Sequence, residues 1–253
     1  MTVKNSSSFH SIYFITLPSI TDILFNLRYL KIWYLLIPFF FVTACNRNRI
    51  PEGEVTASVI DYKVTYLTEK AGKIPTKMLP GKMTVIFAGH YALNRIEGFF
   101  GQFSLIYIGN LKNESVITML KLFDKKYVYY GKKGELPCGF VNPGKLSITE
   151  TGKKMELLGL SCKELLISSE EDSTFYALTT NDLKIKNPNI TTPYRDIKEV
   201  LLEFRTQLSL LQMQLTASNV KRVDVSWDLF KVSDEYQERP KEFIDNTIQE
   251  LFK

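Results

Sequence analysis

Polar and apolar residues alternate along much of the chain beyond residue 55. In Val59–Tyr66, Ile60, Tyr62, Val64 and Tyr66 fall on one side while Asp61, Lys63 and Thr65 fall on the other, the period of a half-buried strand. Short apolar or aromatic runs follow at Thr84–Ala88, Phe99–Ile108, Val116–Phe123, Tyr127–Tyr130, Leu146–Thr149, Lys154–Leu158, Lys163–Ile167 and Phe175–Thr180. Turn signals stand between them: Pro80-Gly81, Gly89, Gly109-Asn110, Gly131 to Gly134, and Asn142-Pro143-Gly144. Short strands at this spacing, joined by tight turns, predict an antiparallel meander.

Two segments depart from period two. Pro240 to Phe252 predicts a terminal helix, with Pro240 suited to the first turn and Phe243, Ile244, Ile248, Leu251 and Phe252 on one stripe. Ile197 to Val220 supports two readings. Leu201, Phe204, Leu208, Leu211 and Leu215 repeat at helical spacing, and periodicity alone favours a helix. Alternation also works if its parity changes near Leu210, which requires a bulge or turn there.

The start of the chain has a different character. Ile32 to Val42 is an uncharged apolar stretch, preceded by Arg28 and Lys31 and followed by Thr43-Ala44-Cys45. A membrane span needs about 20 apolar residues, so this stretch is too short to cross and reads as a secretory signal peptide. Val42-Thr43-Ala44-Cys45 resembles the lipobox of bacterial lipoproteins. The resemblance implies that the Cys45 thiol receives a diacylglycerol thioether, that cleavage precedes it, and that Cys45 becomes the acylated first residue of the mature protein. With about 0.8 kcal/mol per buried methylene, several acyl chains anchor a protein stably. Asn46 is not the aspartate that resembles an inner-membrane retention signal, which tilts the expected location to the outer membrane, facing the periplasm. Met1 lies far upstream of the basic residues, so translation starting near Leu30 is also expected. The expected organisation is a leader and signal peptide at 1–44, a lipidated tether at 45–54, and one domain at 55–253 ending in helix 240–252.

Composition narrows the chemistry. Net charge is +5 in 253 residues, too weak for a nucleic-acid partner without a focused basic patch, and export removes nucleic acid from reach. With His10 and His90 the only histidines and three cysteines in all, there is little material for a metal or cofactor site, and none is expected. His90 with Cys138 or Cys162 could be imagined as a dyad, but no orienting group accompanies them. Gly159-Leu160-Ser161-Cys162-Lys163 lacks the closing glycine of a nucleophile elbow. The expected activity is therefore non-enzymatic. After export, Cys138 and Cys162 either form a disulfide, closing a loop of about 25 residues for roughly 3 kcal/mol, or remain free with Cys162 buried. The lysine pairs Lys125-Lys126, Lys132-Lys133 and Lys153-Lys154 read as solvated turn residues, with contact to anionic headgroups as the rival reading. Tyr62, Tyr66, Phe87, Phe103, Tyr107 and Phe123 are candidates for an apolar cavity lining, or for a sealed core against the terminal helix.

In the second half, a set of phrases occurs in order: Leu158-Gly159-Leu160-Ser161-Cys162-Lys163-Glu164, Phe175-Tyr176-Ala177-Leu178-Thr179, Lys186-Asn187-Pro188-Asn189, Leu215-Thr216-Ala217, and Leu229-Phe230-Lys231-Val232. This set resembles a family of exported bacterial lipoproteins built on the LolA/LolB-like half-barrel. The resemblance implies a mainly β (α+β) fold: a curved, open antiparallel sheet with helical cover over an apolar concavity. It also implies strands, not helix, across Leu201 to Ala217. The function so implied is a membrane-anchored envelope protein that binds an amphiphile, such as a lipid or lipoprotein acyl chain, or an envelope protein partner. No ligand-contacting residue carries over. A structural or interaction module with a filled core and a partner-binding edge strand is the alternative.

Overall fold

The alternation around Val59–Tyr66 extends back into one strand, β1 (Glu54–Tyr66), in a computed structural model that describes residues 50–253 apart from 69, 72–73 and 170–173. The leader, the lipobox and Cys45 lie outside the described residues. A two-stranded hairpin, β2 (Lys70–Ala71) and β3 (Ile74–Pro75), follows β1. Then comes a meander of β4 (Lys82–Ala88), β5 (Tyr91–Gly98), β6 (Phe103–Asn110), β7 (Ser115–Leu122) and β8 (Lys125–Tyr130). A second meander holds β9 (Ser147–Leu157), β10 (Leu160–Ser168), β11 (Thr174–Thr180), β12 (Val200–Leu208) and β13 (Leu211–Ser226). The chain closes with β14 (Gln237–Glu238) and helix α1 (Lys241–Leu251).

All strands but β2 and β3 form one open 12-stranded sheet, in the order β14-β8-β7-β6-β5-β4-β1-β13-β12-β11-β10-β9. β1 lies between the two meanders, antiparallel to β4 on one side and to β13 on the other. The fold is mainly β with one C-terminal helix, and Ile50–Lys253 forms one compact unit.

Because side chains alternate across a strand, each strand supplies both faces. Ile60, Tyr62 and Val64 of β1 join Phe103, Leu105 and Tyr107 of β6 in the larger core, on the face that carries α1. Ala57 and Val59 join Ile86, Leu93, Ile108 and Val128 in a second cluster on the outer face. The segment after β13 covers that outer cluster with Phe230, fully buried, then runs along the β8 edge as β14, the one parallel pairing of the sheet. Helix α1 then inserts Ile244, Ile248 and Phe252 into the larger core. One sheet edge is thus covered by the chain's own end. The other, β9, is exposed along most of its length, carries Glu150, Lys153, Lys154 and Glu156, and is bulged opposite Glu164. Charge and bulges are the ordinary means of keeping an edge strand from pairing with another chain.

Several sequence expectations need correction. The helical reading of Ile197 to Val220 fails: the segment is the β12–β13 hairpin, with a two-residue turn at Ser209-Leu210 and Ser209 at φ 52°. The parity change falls at that turn, so Leu202, Phe204 and Leu208 on one strand and Leu211, Met213 and Leu215 on the next all reach the larger core. The run Phe99–Ile108 is a strand only from Phe103, because Phe99 and Phe100 form the preceding turn with φ of 51° and 56°. Leu146–Thr149 and Lys154–Leu158 are one strand, β9, with Gly152 in its bulge at φ 80°. β5 has no counterpart in the expected set. The terminal helix falls where expected, with Pro240 as its N-cap.

Candidate functional site

The face beneath α1 is filled. The segment 135–141, the long β11–β12 connection 181–199 and α1 all pack onto it. A Cβ on Gly109 of β6 would stand 2.8 Å from Thr191 Cγ2, and one on Gly139 would stand 2.9 Å from both Ile248 and Leu208. The enclosed space bounded by Tyr107, Phe140, Phe204 and Thr206 amounts to about 10 Å³, room for about one water.

Tyr62, Phe87, Phe103 and Tyr107 lie in this core, with Tyr66 packed against it. The three tyrosines act as ties: Tyr62 Oη donates to the Leu201 carbonyl at 2.6 Å, Tyr66 Oη to Pro80 at 2.7 Å and Tyr107 Oη to Cys138 at 2.7 Å. Burial raises the pKa of all three phenols, keeping them protonated donors. Phe123 does not belong with them. It sits in the β7–β8 turn at φ 56°, 61% exposed, one residue beyond the end of the alternating strand.

Cys138 and Cys162 are separate, free and buried thiols. Cys138 lies in the closing segment, its N–H donating to Thr118 Oγ1 at 3.3 Å, and burial pushes its thiol up to about 11. Cys162 faces the core from β10, paired with Thr180 and Met155, and burial raises its thiol too. His90 is exposed in the β4–β5 turn, and its carbonyl accepts from Leu111 N–H at 2.8 Å. The groove it borders contains neither cysteine.

The two ends of the sheet differ in chemistry. At the end where β1 starts, the β4–β5 turn, the β6–β7 turn and the 184–187 stretch enclose an open groove of about 670 Å³. Phe87, Leu111 and Ile185 line it with apolar surface, while His90, Lys112, Lys184 and Lys186 add basic groups and no lining residue is acidic. Asn110 Oδ1 accepts the Lys112 and Asn113 N–H groups, fixing the β6–β7 turn, and Asn187 Nδ2 donates to the Leu111 carbonyl, tying the loop to it. Among the described residues, none of the three lysines has an ion-pair partner.

At the opposite end, apolar side chains project from the turns. Phe100 is fully exposed, and Phe123, Met78 and Leu210 are 61%, 63% and 46% exposed. The Phe123 N–H donates to the Gln102 carbonyl at 2.6 Å, and Lys121 Nζ to the Gly101 carbonyl at 2.8 Å, so the β5–β6 and β7–β8 turns lie side by side. Positive φ in bulky residues such as Phe100 and Phe123 is uncommon and costs energy.

Neither end is assembled by the sequence pattern, although Phe87 and His90 at the groove and Phe123 at the opposite end are among the residues it singles out. The groove joins Lys112 to lysines some seventy residues later, and only the strand order brings them together. Of the three lysine pairs, Lys125-Lys126 borders the Phe123 turn, where Lys126 pairs with Glu235, and Lys153 of β9 pairs with Glu164.

No family model matches the chain, and no curated protein matches it in sequence. Among solved structures, one described as PNGF-II in the C2 space group is similar, with a TM-score of 0.50 and 19% identity over 76% of this chain and 32% of that chain. This chain thus spans about a third of that protein's length, and at 19% identity the likeness is one of fold alone.

Proposed function

We propose that this protein is a lipoprotein held in the bacterial cell envelope through an acylated Cys45, a LolA/LolB-like half-barrel that works by binding at its surface and not by catalysis. The observation that carries this reading is the filled face under α1. Ligand cavities run to roughly 300 Å³ or more, whereas the space bounded by Tyr107, Phe140, Phe204 and Thr206 is about 10 Å³, and the recess of about 360 Å³ beside α1, lined by Gln207, Asp245, Asn246 and Gln249, is open to solvent. Apolar groups that could meet a partner lie on the outside instead, at the Phe100 and Phe123 turns. The buried, protonated thiols of Cys138 and Cys162 are poor nucleophiles, which fits a non-catalytic role.

A second reading, carriage of a short acyl group, has one observation in its favour. A cleft of about 120 Å³ between Leu67, Val141, Phe175 and Tyr194 is also lined by Thr206, whose buried hydroxyl has no hydrogen-bond partner. The two readings separate on extraction from the native membrane. Radiolabelled palmitate should mark the product and fail to mark Cys45→Ala, and the purified protein should carry no stoichiometric lipid beyond its anchor. An unlabelled product would refute the anchored reading. One extra acyl chain per protein, lost on Tyr194→Ala, would favour carriage.

A further inference from the structure

We infer that the groove bordered by His90, Lys112, Lys184 and Lys186 docks onto the phosphate headgroup of an anionic phospholipid in the bilayer that anchors the protein, an inference that rests on the anchored reading above. Three observations converge on it. The first is chemical: an apolar floor of Phe87, Leu111 and Ile185 beneath unpaired cations suits a group that is anionic at its tip and apolar below. The second is the uncommitted state of the cations. Lys112, Lys184 and Lys186 are exposed and free of ion pairs among the described residues, as Lys77, Lys125 and Lys154 are elsewhere, but here three such lysines border one groove that no acidic residue lines.

The third is position. The groove lies where β1 begins, its wall including Ser58 four residues into that strand. Glu54 follows Cys45 by nine positions, so the chain's reach keeps an anchor at Cys45 within about 30 Å of the start of β1. The Phe100 and Phe123 turns lie beyond the far end of the sheet, about 40 Å away at a strand's rise over 13 residues. Headgroup capture in the groove therefore turns the apolar tips away from the anchoring bilayer and toward whatever they meet in the envelope. The anchor fixes the protein to the membrane, and the groove fixes which way up it stands.

The test uses the chain from Asn46 onward, which contains the whole compact unit Ile50–Lys253 and lacks the anchor. Co-sedimentation is measured with vesicles of phosphatidylcholine alone and of phosphatidylcholine mixed with phosphatidylglycerol. Binding is expected only to the mixed vesicles and should weaken as salt rises. The combined change Lys112→Gln, Lys184→Gln and Lys186→Gln should reduce it about 100-fold, from about 1 kcal/mol per charge at an anionic surface. A control carrying Lys77→Gln, Lys125→Gln and Lys154→Gln has the same net charge and should bind within a few-fold of the parent. Equal losses in both triples, or equal binding to neutral vesicles, would overturn the inference. So would tight binding of inorganic phosphate with none to vesicles, which would reassign the groove to a soluble anion. Because Cys45 is absent, these results stand whether or not it is acylated, and the intact mass of the full-length product reads the anchor separately.

Discussion

The Tyr107 hydroxyl donates to the Cys138 carbonyl oxygen at 2.7 Å, so a side chain from the middle of β6 holds down the segment that closes the face under α1. Both residues are almost wholly buried. Tyr107→Phe keeps the ring and leaves the carbonyl without its donor. It should cost about 1–3 kcal/mol, the desolvation penalty of an orphaned buried acceptor. Urea unfolding should show a lower midpoint with an unchanged slope.

Gly139 follows at once in the same segment, at φ +82°, with Ile248 and Leu208 each 2.9 Å from where a Cβ would stand. Gly139→Ala combines left-handed strain with overpacking against α1 and should destabilise by about 2–4 kcal/mol. Gly152 has nearly the same φ, +80°, and nothing near its Cβ position. Gly152→Ala should cost only the backbone part, about 1–2 kcal/mol. Thermal melts of the two variants separate strain from crowding; equal losses would contradict the packing of α1 on this segment.

Asp61 is the charged residue most built into the sheet. Its carboxylate accepts from Thr84 Oγ1 at 2.9 Å and Asn219 Nδ2 at 3.4 Å, and Lys82 Nζ lies 3.2 Å away. Burial works against the charge, but these hydrogen bonds and the Lys82 ammonium outweigh it and hold the carboxyl below its usual range. The folded pKa is depressed, so the stabilisation is fully present above the ordinary value near 4 and is lost as pH falls through the folded value. Asp61→Asn should lower stability by about 1–2 kcal/mol at neutral pH. Its stability curve should meet that of the parent chain in strong acid. A gap that persists there would show that the carboxylate charge is not the cause.

Two thiols should titrate in the chain from Asn46 after unfolding without reductant, since Cys138 and Cys162 are both free. In the folded protein both should react slowly, Cys138 the more so, with its thiol pushed to about 11. Counting with a chromogenic disulfide reagent checks this, and a count of zero would show that they are bonded.

What could be read from sequence follows the regularity of the pattern. β1 and α1 were legible because their periods are unbroken: Ile60, Tyr62, Val64 and Tyr66 do share a face, and Ile244, Ile248 and Phe252 do point into the core. β5 was illegible because Asn94 occupies a buried position between Ala92 and Ile96, both facing the core, and a polar residue there erases the alternation. The β12–β13 hairpin looked helical because leucines flank its two-residue turn, and the resemblance to half-barrel proteins pointed to strands where period did not. Phe123 was grouped with Phe103 and Tyr107 by residue type, yet its turn geometry sends it into solvent. The basic groove depends on neighbours made by sheet order alone, and no local pattern announces it.

The place of β1 also governs how this molecule can be divided. Thr56 hydrogen-bonds to Asp224, 168 positions away, at 2.7 Å, within the long ladder that joins the first strand to the last of the second meander. Each meander can zip locally, but the seam between them waits for nearly the entire polypeptide, and contacts of such reach make for slow folding. Trimming to a minimal version is thereby foreclosed: the first half alone would leave the outer edge of β1 open, and the second alone would leave β13 uncovered.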